Sequence, residues 1–64
     1  MVKINGTMQD AAGKTIAQLV EEGGYQPTRV AVELNEEIVP KAGYSDTVVK
    51  DGDSVEIVGF VGGG

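Results

Sequence analysis

Asp51-Gly52-Asp53-Ser54-Val55-Glu56-Ile57-Val58-Gly59-Phe60-Val61-Gly62-Gly63-Gly64 is the stretch that decides how this chain folds. Asp51-Gly52-Asp53 is a turn signal, because aspartate closes local hydrogen bonds and glycine accepts positive φ. The apolar run after it predicts the last and longest strand, Ser54 to Val61, with Val55 and Ile57 on one face and Val58 and Phe60 on the other. Two large apolar residues on the side opposite the core of a small sheet would form an exposed patch of the kind a partner covers. Glycine has no side chain to obstruct entry into a narrow channel, so Gly62, Gly63 and Gly64 read as a thin tail. Its α-carboxylate, with a reference pKa of roughly 3.5, is an anion at neutral pH. By itself such a tail fits an inert linker as well as a reactive arm. The division expected is a folded domain over 1–61 and a flexible glycine tail over 62–64.

Working back from the last strand, the chain reads as strands around one helix. Val2 and Ile4 alternate with Lys3, then Asn5-Gly6 supplies the two positive-φ residues of a type I′ turn, so Val2 to Gln9 predicts a hairpin. Thr15 and Gln18 fit a capping box, and Ile16, Leu19 and Val20 give one apolar face to a helix over Ile16 to Glu22 that Gly23-Gly24 ends. Pro27 then forces an extended bend. Val30, Val32 and Leu34 alternate with Ala31 and Glu33 in a third strand; Asn35-Glu36-Glu37 turns the chain, and Ile38-Val39 makes a short fourth strand that Pro40 stops. Lys41 to Val49 has no clear period, although Tyr44, Val48 and Val49 offer side chains to cover one end of the core. The order predicts a mixed sheet of about five strands with one helix across one face and the last strand between the first and third.

Composition narrows the chemistry. At 64 residues the chain is one domain with little room for an internal active site. It contains neither cysteine nor histidine, which removes thiolate and imidazole nucleophiles and ordinary zinc sites, so an enzyme is not expected and no metal is. Ten acidic against five scattered basic residues give a net charge of −5, which disfavours nucleic acid and suits a protein partner with a basic docking surface. With no apolar stretch of the length a bilayer needs and no signal-peptide pattern, the expectation is a cytoplasmic protein away from membranes.

The remaining motifs have plain explanations. Glu36-Glu37 and the Asp51/Asp53 pair lie in predicted turns and lack the further oxygen ligands of a calcium loop. Gly13-Lys14-Thr15 echoes the end of a phosphate-binding loop, but Met8 stands where the upstream glycine belongs, and helix capping accounts for Thr15. Tyr25 and Tyr44 fit core or rim equally. Phe60 fits either a core position or a docking anchor.

Taken together, the chain resembles the ThiS family of sulfur carriers of thiamin biosynthesis, within the ubiquitin-like β-grasp fold. The resemblance runs the whole length and is carried by the Val2 to Gln9 hairpin, Thr15-Ile16-Ala17-Gln18-Leu19, the stretch Val32 to Pro40, Asp51 to Ile57, and the ending Phe60-Val61-Gly62-Gly63-Gly64. The family pattern needs two terminal glycines, so Gly62 is an addition that leaves Gly63-Gly64 in register. The resemblance implies a carrier rather than a catalyst. Gly64 would be the residue adenylated and converted to a thiocarboxylate, Gly62 and Gly63 the arm that threads the partner's channel, and Val58, Phe60 and Val61 the docking patch. The implied partners are an adenylyltransferase similar to ubiquitin-activating enzymes (ThiF type), a sulfur donor protein and a thiazole synthase (ThiG type). ATP would be used by the activating partner, with no cofactor bound by this chain. The small subunit of molybdopterin synthase shares the fold, ending and chemistry, and its greater usual length favours the thiamin carrier. A β-grasp interaction module with inert glycines is the alternative from another class.

Overall fold

Asn5 and Gly6 take φ of 50° and 85°, the left-handed pair a type I′ turn requires. The chain therefore reverses from β1 (Val2–Ile4) into β2 (Thr7–Gln9), antiparallel with Ile4 opposite Thr7. This computed structural model describes residues 1–60. The expectations for Val61, Gly62, Gly63 and Gly64 fall outside the described residues.

The helix α1 (Ile16–Glu22) begins and ends where its sequence predicts. Thr15 Oγ1 accepts the Gln18 N–H at 3.1 Å, and Gln18 Oε1 accepts the Thr15 N–H at 2.8 Å. This reciprocal pair satisfies two donors that a helix start otherwise leaves open. Lys14, beside it, pairs with Glu22 at 2.7 Å. Seven residues are too few to hold a helix alone, and α1 is held by burying Ile16, Leu19 and Val20.

After a short 3-10 turn at Pro27–Arg29, β3 (Val30–Leu34) buries Val30 and Val32. The next reversal uses Asn35 and Glu36, with φ of 52° and 71°. Because this turn has two central residues, Glu37 is already paired with Leu34, and β4 is Glu37–Ile38 rather than Ile38-Val39. Val39 turns into the core and donates its N–H to Val32 O at 2.9 Å.

The unassigned stretch contains a 3-10 turn, Lys41–Gly43, followed by buried Tyr44 and Val49. Tyr44 is thus core, and burial pushes its phenol pKa up. Val48, expected beside them, is 47% exposed. Its neighbour Val49 takes the inward direction, and adjacent residues of extended chain point to opposite sides.

The last strand, β5 (Ser54–Gly59), ends before the Val61 expected. Its partner β3 begins at Val30, opposite Gly59, so the ladder runs out there. The sheet order is β2-β1-β5-β3-β4, with β5 parallel to β1 and antiparallel to β3. Val2, Val32, Val55 and Ile57 meet Ile16 and Val20 of α1 in one core.

One polar network ties the start of β5 to the turn after β3. Asp53 accepts the Asn35 side-chain amide at 3.0 Å and the Lys50 N–H at 2.8 Å, while Asn35 Oδ1 accepts the Ser54 N–H at 2.9 Å. The Asp53 side chain, considered above as part of a carboxylate pair, is thus engaged in shaping turns together with Asn35. The Asn35 hydrogen bond, with that from Lys50, holds the Asp53 carboxyl below its ordinary 3.8. A lowered folded-state pKa gives stability that is present above the unfolded value and is lost as pH falls through the folded one. Urea melts from about pH 5 to about pH 2 are therefore expected to show a decline below 3.8 that is smaller in Asp53→Asn.

Candidate docking face and carrier tail

The alternation along β5 sorts its side chains cleanly. Val55 and Ile57 are buried, whereas Val58 and Phe60 are 55% and 56% exposed. Val58 stands opposite Ala31 of β3, and Glu56 opposite Glu33, which in turn faces Ile38 of β4. Ile38 is 76% exposed. With strands spaced about 4.8 Å apart, Ile38 lies roughly 10 Å across the sheet from Glu56. The outer face near the end of β5 is therefore an apolar group, Val58, Phe60, Ala31 and Ile38, around two facing carboxylates.

Like charges directly opposite on neighbouring strands destabilise a sheet. Among the described residues neither Glu33 nor Glu56 has an ion-pair partner. The pair thus lowers the stability of the free domain and suits an opposing surface that brings a cation.

Three contacts fix where the chain leaves the sheet. The Asn5 carboxamide continues the parallel ladder past the end of β1, accepting the Ile57 N–H at 2.7 Å and donating to Ile57 O at 3.2 Å. The Tyr25 ring lies over Gly59, where an added Cβ would meet it at 3.5 Å, and its hydroxyl receives a hydrogen bond from Asn5 at 3.3 Å. Tyr25 is therefore a half-buried rim residue. Past the strand, Phe60 N–H donates to Arg29 O at 2.7 Å.

Of the residues singled out in the sequence, Val58 and Phe60 are brought together on this face, and Val61 and Gly62 to Gly64 lie outside the described residues. Ile38, Glu33 and Glu56 were missed as members of the same face. The period-2 pattern of Val30 to Leu34 places Glu33 outward, and the pairing of β3 with β5 aligns it with Glu56. That register is a tertiary fact with no local signature.

A mixed five-stranded sheet, with one helix packed on one face and the last strand at its centre, defines a ubiquitin-like β-grasp protein. Within that class the chain matches the model of the ThiS family over residues 2–64, and it belongs to that family. It is 41% identical to the sulfur carrier protein ThiS of Thermus thermophilus over 100% of both chains. Its structure resembles the crystal structure of the thiamine biosynthesis protein ThiS from Geobacter metallireducens, with a TM-score of 0.76 and 36% identity, covering 98% of this chain and 97% of that one. A thiazole synthase of Paramagnetospirillum magneticum is 48% identical over 62 residues, 95% of this chain. The chain spans 19% and 20% of the length of the two thiazole synthases it matches. Among the described residues no helix is long and apolar enough to cross a membrane.

Proposed function

We propose that this chain carries sulfur for thiazole formation as a thiocarboxylate on Gly64. The observation that supports it most is the match to the family that continues through residue 64, together with a relative of the same length named as a sulfur carrier. A carboxylate oxygen of Gly64 attacks the α-phosphorus of ATP in a ThiF-type adenylyltransferase, and pyrophosphate leaves. The acyl adenylate then loses AMP to a sulfur nucleophile delivered by a donor protein. The carrier contributes neither a catalytic group nor a bound cofactor in this scheme, which suits a chain without cysteine or histidine. Residues 1–61 act as the folded domain, and 62–64 as the arm that enters the partner's channel, in the cytoplasm where ATP is supplied. The thiazole acceptor, a ThiG-type synthase, is preferred over molybdopterin chemistry because relatives of 48% and 38% identity are thiazole synthases.

Docking falls to the outer face of β5, with Val58, Phe60 and Val61 as apolar anchors and Glu33 with Glu56 receiving a basic group. Phe60 is 56% exposed, so its truncation removes little core packing. Phe60→Ala is expected to cost about 1–2 kcal/mol in affinity for the activating enzyme, as aromatic anchors do. The same change is expected to alter folding stability by less than about 0.5 kcal/mol. Titration calorimetry beside a thermal melt separates the two, and a larger loss in stability than in affinity would remove Phe60 from the docking surface.

A further inference from the structure

Asn5 serves both the hairpin turn and the last strand. Its N–H donates to Val55 O at 2.9 Å, its Oδ1 accepts the Ile57 N–H at 2.7 Å, and its Nδ2 donates to Ile57 O at 3.2 Å and to Tyr25 Oη at 3.3 Å. The next residue is Gly6, with nothing within 4 Å of where a Cβ would stand. An asparagine carboxamide followed by an amide nitrogen that no side chain shields is the arrangement in which the backbone closes on the side chain.

We propose that Asn5-Gly6 is a deamidation site held in check by β5, and that reaction there releases the tail-proximal end of β5 from the hairpin turn between β1 and β2. In the reaction the Gly6 backbone nitrogen gives its proton to hydroxide and attacks Asn5 Cγ. A C–N bond forms to close a succinimide, and Nδ2 leaves as ammonia after taking up a proton. Water then opens either ring carbonyl, giving aspartate or isoaspartate. The sum is asparagine plus water going to the acid plus ammonia, with no change of oxidation state.

The native contacts oppose the first step. To let the Gly6 nitrogen reach Cγ, the carboxamide must turn away from Ile57 and Tyr25 and give up three hydrogen bonds. The turn must also leave the φ pair of 50° and 85° that the hairpin requires. The products cannot restore the clamp. An aspartate carboxylate has no N–H for Ile57 O and sets a negative oxygen against that carbonyl. Isoaspartate adds a backbone atom to a two-residue turn, which disturbs the register the turn sets.

The test follows the Asn5 peptide by mass spectrometry, with isoaspartate labelled by a methyltransferase, in the whole chain at mildly alkaline pH with and without urea. Folded protein is expected to deamidate at least about tenfold more slowly than unfolded chain, because reaction requires local opening. Tyr25→Phe, which keeps the ring over Gly59 and removes one partner of Nδ2, is expected to speed the reaction in the folded state and leave the urea rate unchanged. Asn5→Asp is expected to melt lower and to exchange the Ile57 amide faster; failure to fold points the same way. Equal rates in folded and unfolded chain, or an Asn5→Asp protein whose melting and Ile57 exchange match the native, would overturn the proposal. The rate comparison stands even where a variant does not fold.

Discussion

Deleting Gly64 is expected to abolish thiocarboxylate formation while the domain melts as before. The truncated chain still ends on two glycines, Gly62 and Gly63, so its terminal chemistry is unchanged. What changes is reach: the carboxylate ends one residue, about 3.5 Å, nearer the sheet. A misplacement of about 1 Å at a reacting centre can cost roughly a hundredfold in rate, so a shortfall of a whole residue takes adenylation below detection. Stability is expected to be unaffected, because among the described residues the buried core ends at Ile57 and a terminal glycine has no side chain to bury. The pair of measurements is charging, read by intact mass with the activating enzyme, and melting temperature. A truncated protein charged at the native rate would mean that the register of Gly63-Gly64 is not what the partner reads, and a truncated protein that unfolds would make the tail structural.

The second large effect concerns the fold. Ile16 is fully buried as the first residue of α1, and its N–H donates to Thr47 O at 2.9 Å, joining helix and loop. Ile16→Ala leaves a cavity in the core that Ile16 shares with Val2, Val20 and Val55, and such truncations cost about 2–5 kcal/mol. A domain of this size typically has only about 3–5 kcal/mol from its core. The variant is therefore expected to be largely unfolded at 37 °C, whereas Ile16→Val, at about 0.5–1.5 kcal/mol, stays folded with a lowered urea midpoint. Circular dichroism with urea titration checks both; an Ile16→Ala protein as stable as the native would place the core elsewhere.

The elements with strong local chemistry were legible in the sequence. Asn5-Gly6 fixed the first hairpin because a type I′ turn needs two positive φ angles, and the Thr15/Gln18 pair with Gly23 set both ends of α1. Alternation in Val30 to Leu34 and Val55 to Ile57 gave the inner face, and Val58 with Phe60 gave the outer one. What escaped depends in part on neighbours distant in the chain. The end of β5 at Gly59 is set by where β3 starts. The outward direction of Val48 follows from Val49 filling the core. Glu36 at φ 71° is unusual for its residue type, so the length of the second turn was hidden. The candidate face was legible at Val58 and Phe60 but not at Ile38, Glu33 and Glu56, which join it only through the β5-β3-β4 register.

The same register gives the domain its division of labour. The inner face of β5 holds the core and its outer side chains Val58 and Phe60 are exposed, so one strand would join folding to the proposed docking. Asn5, Tyr25 and the Arg29 carbonyl fix the point at which the chain departs. If Gly64 is the carried group, the rest of the chain serves to present it at a fixed distance from that face.

The most direct measurement is the mass of the intact chain after incubation with ATP, a ThiF-type adenylyltransferase and a sulfur donor protein. The expected result is a gain equal to the exchange of one oxygen for one sulfur, located by fragmentation on Gly64 and dependent on ATP. A chain recovered at its original mass under conditions that charge the Thermus thermophilus relative, or a sulfur found elsewhere than on Gly64, would contradict the carrier function.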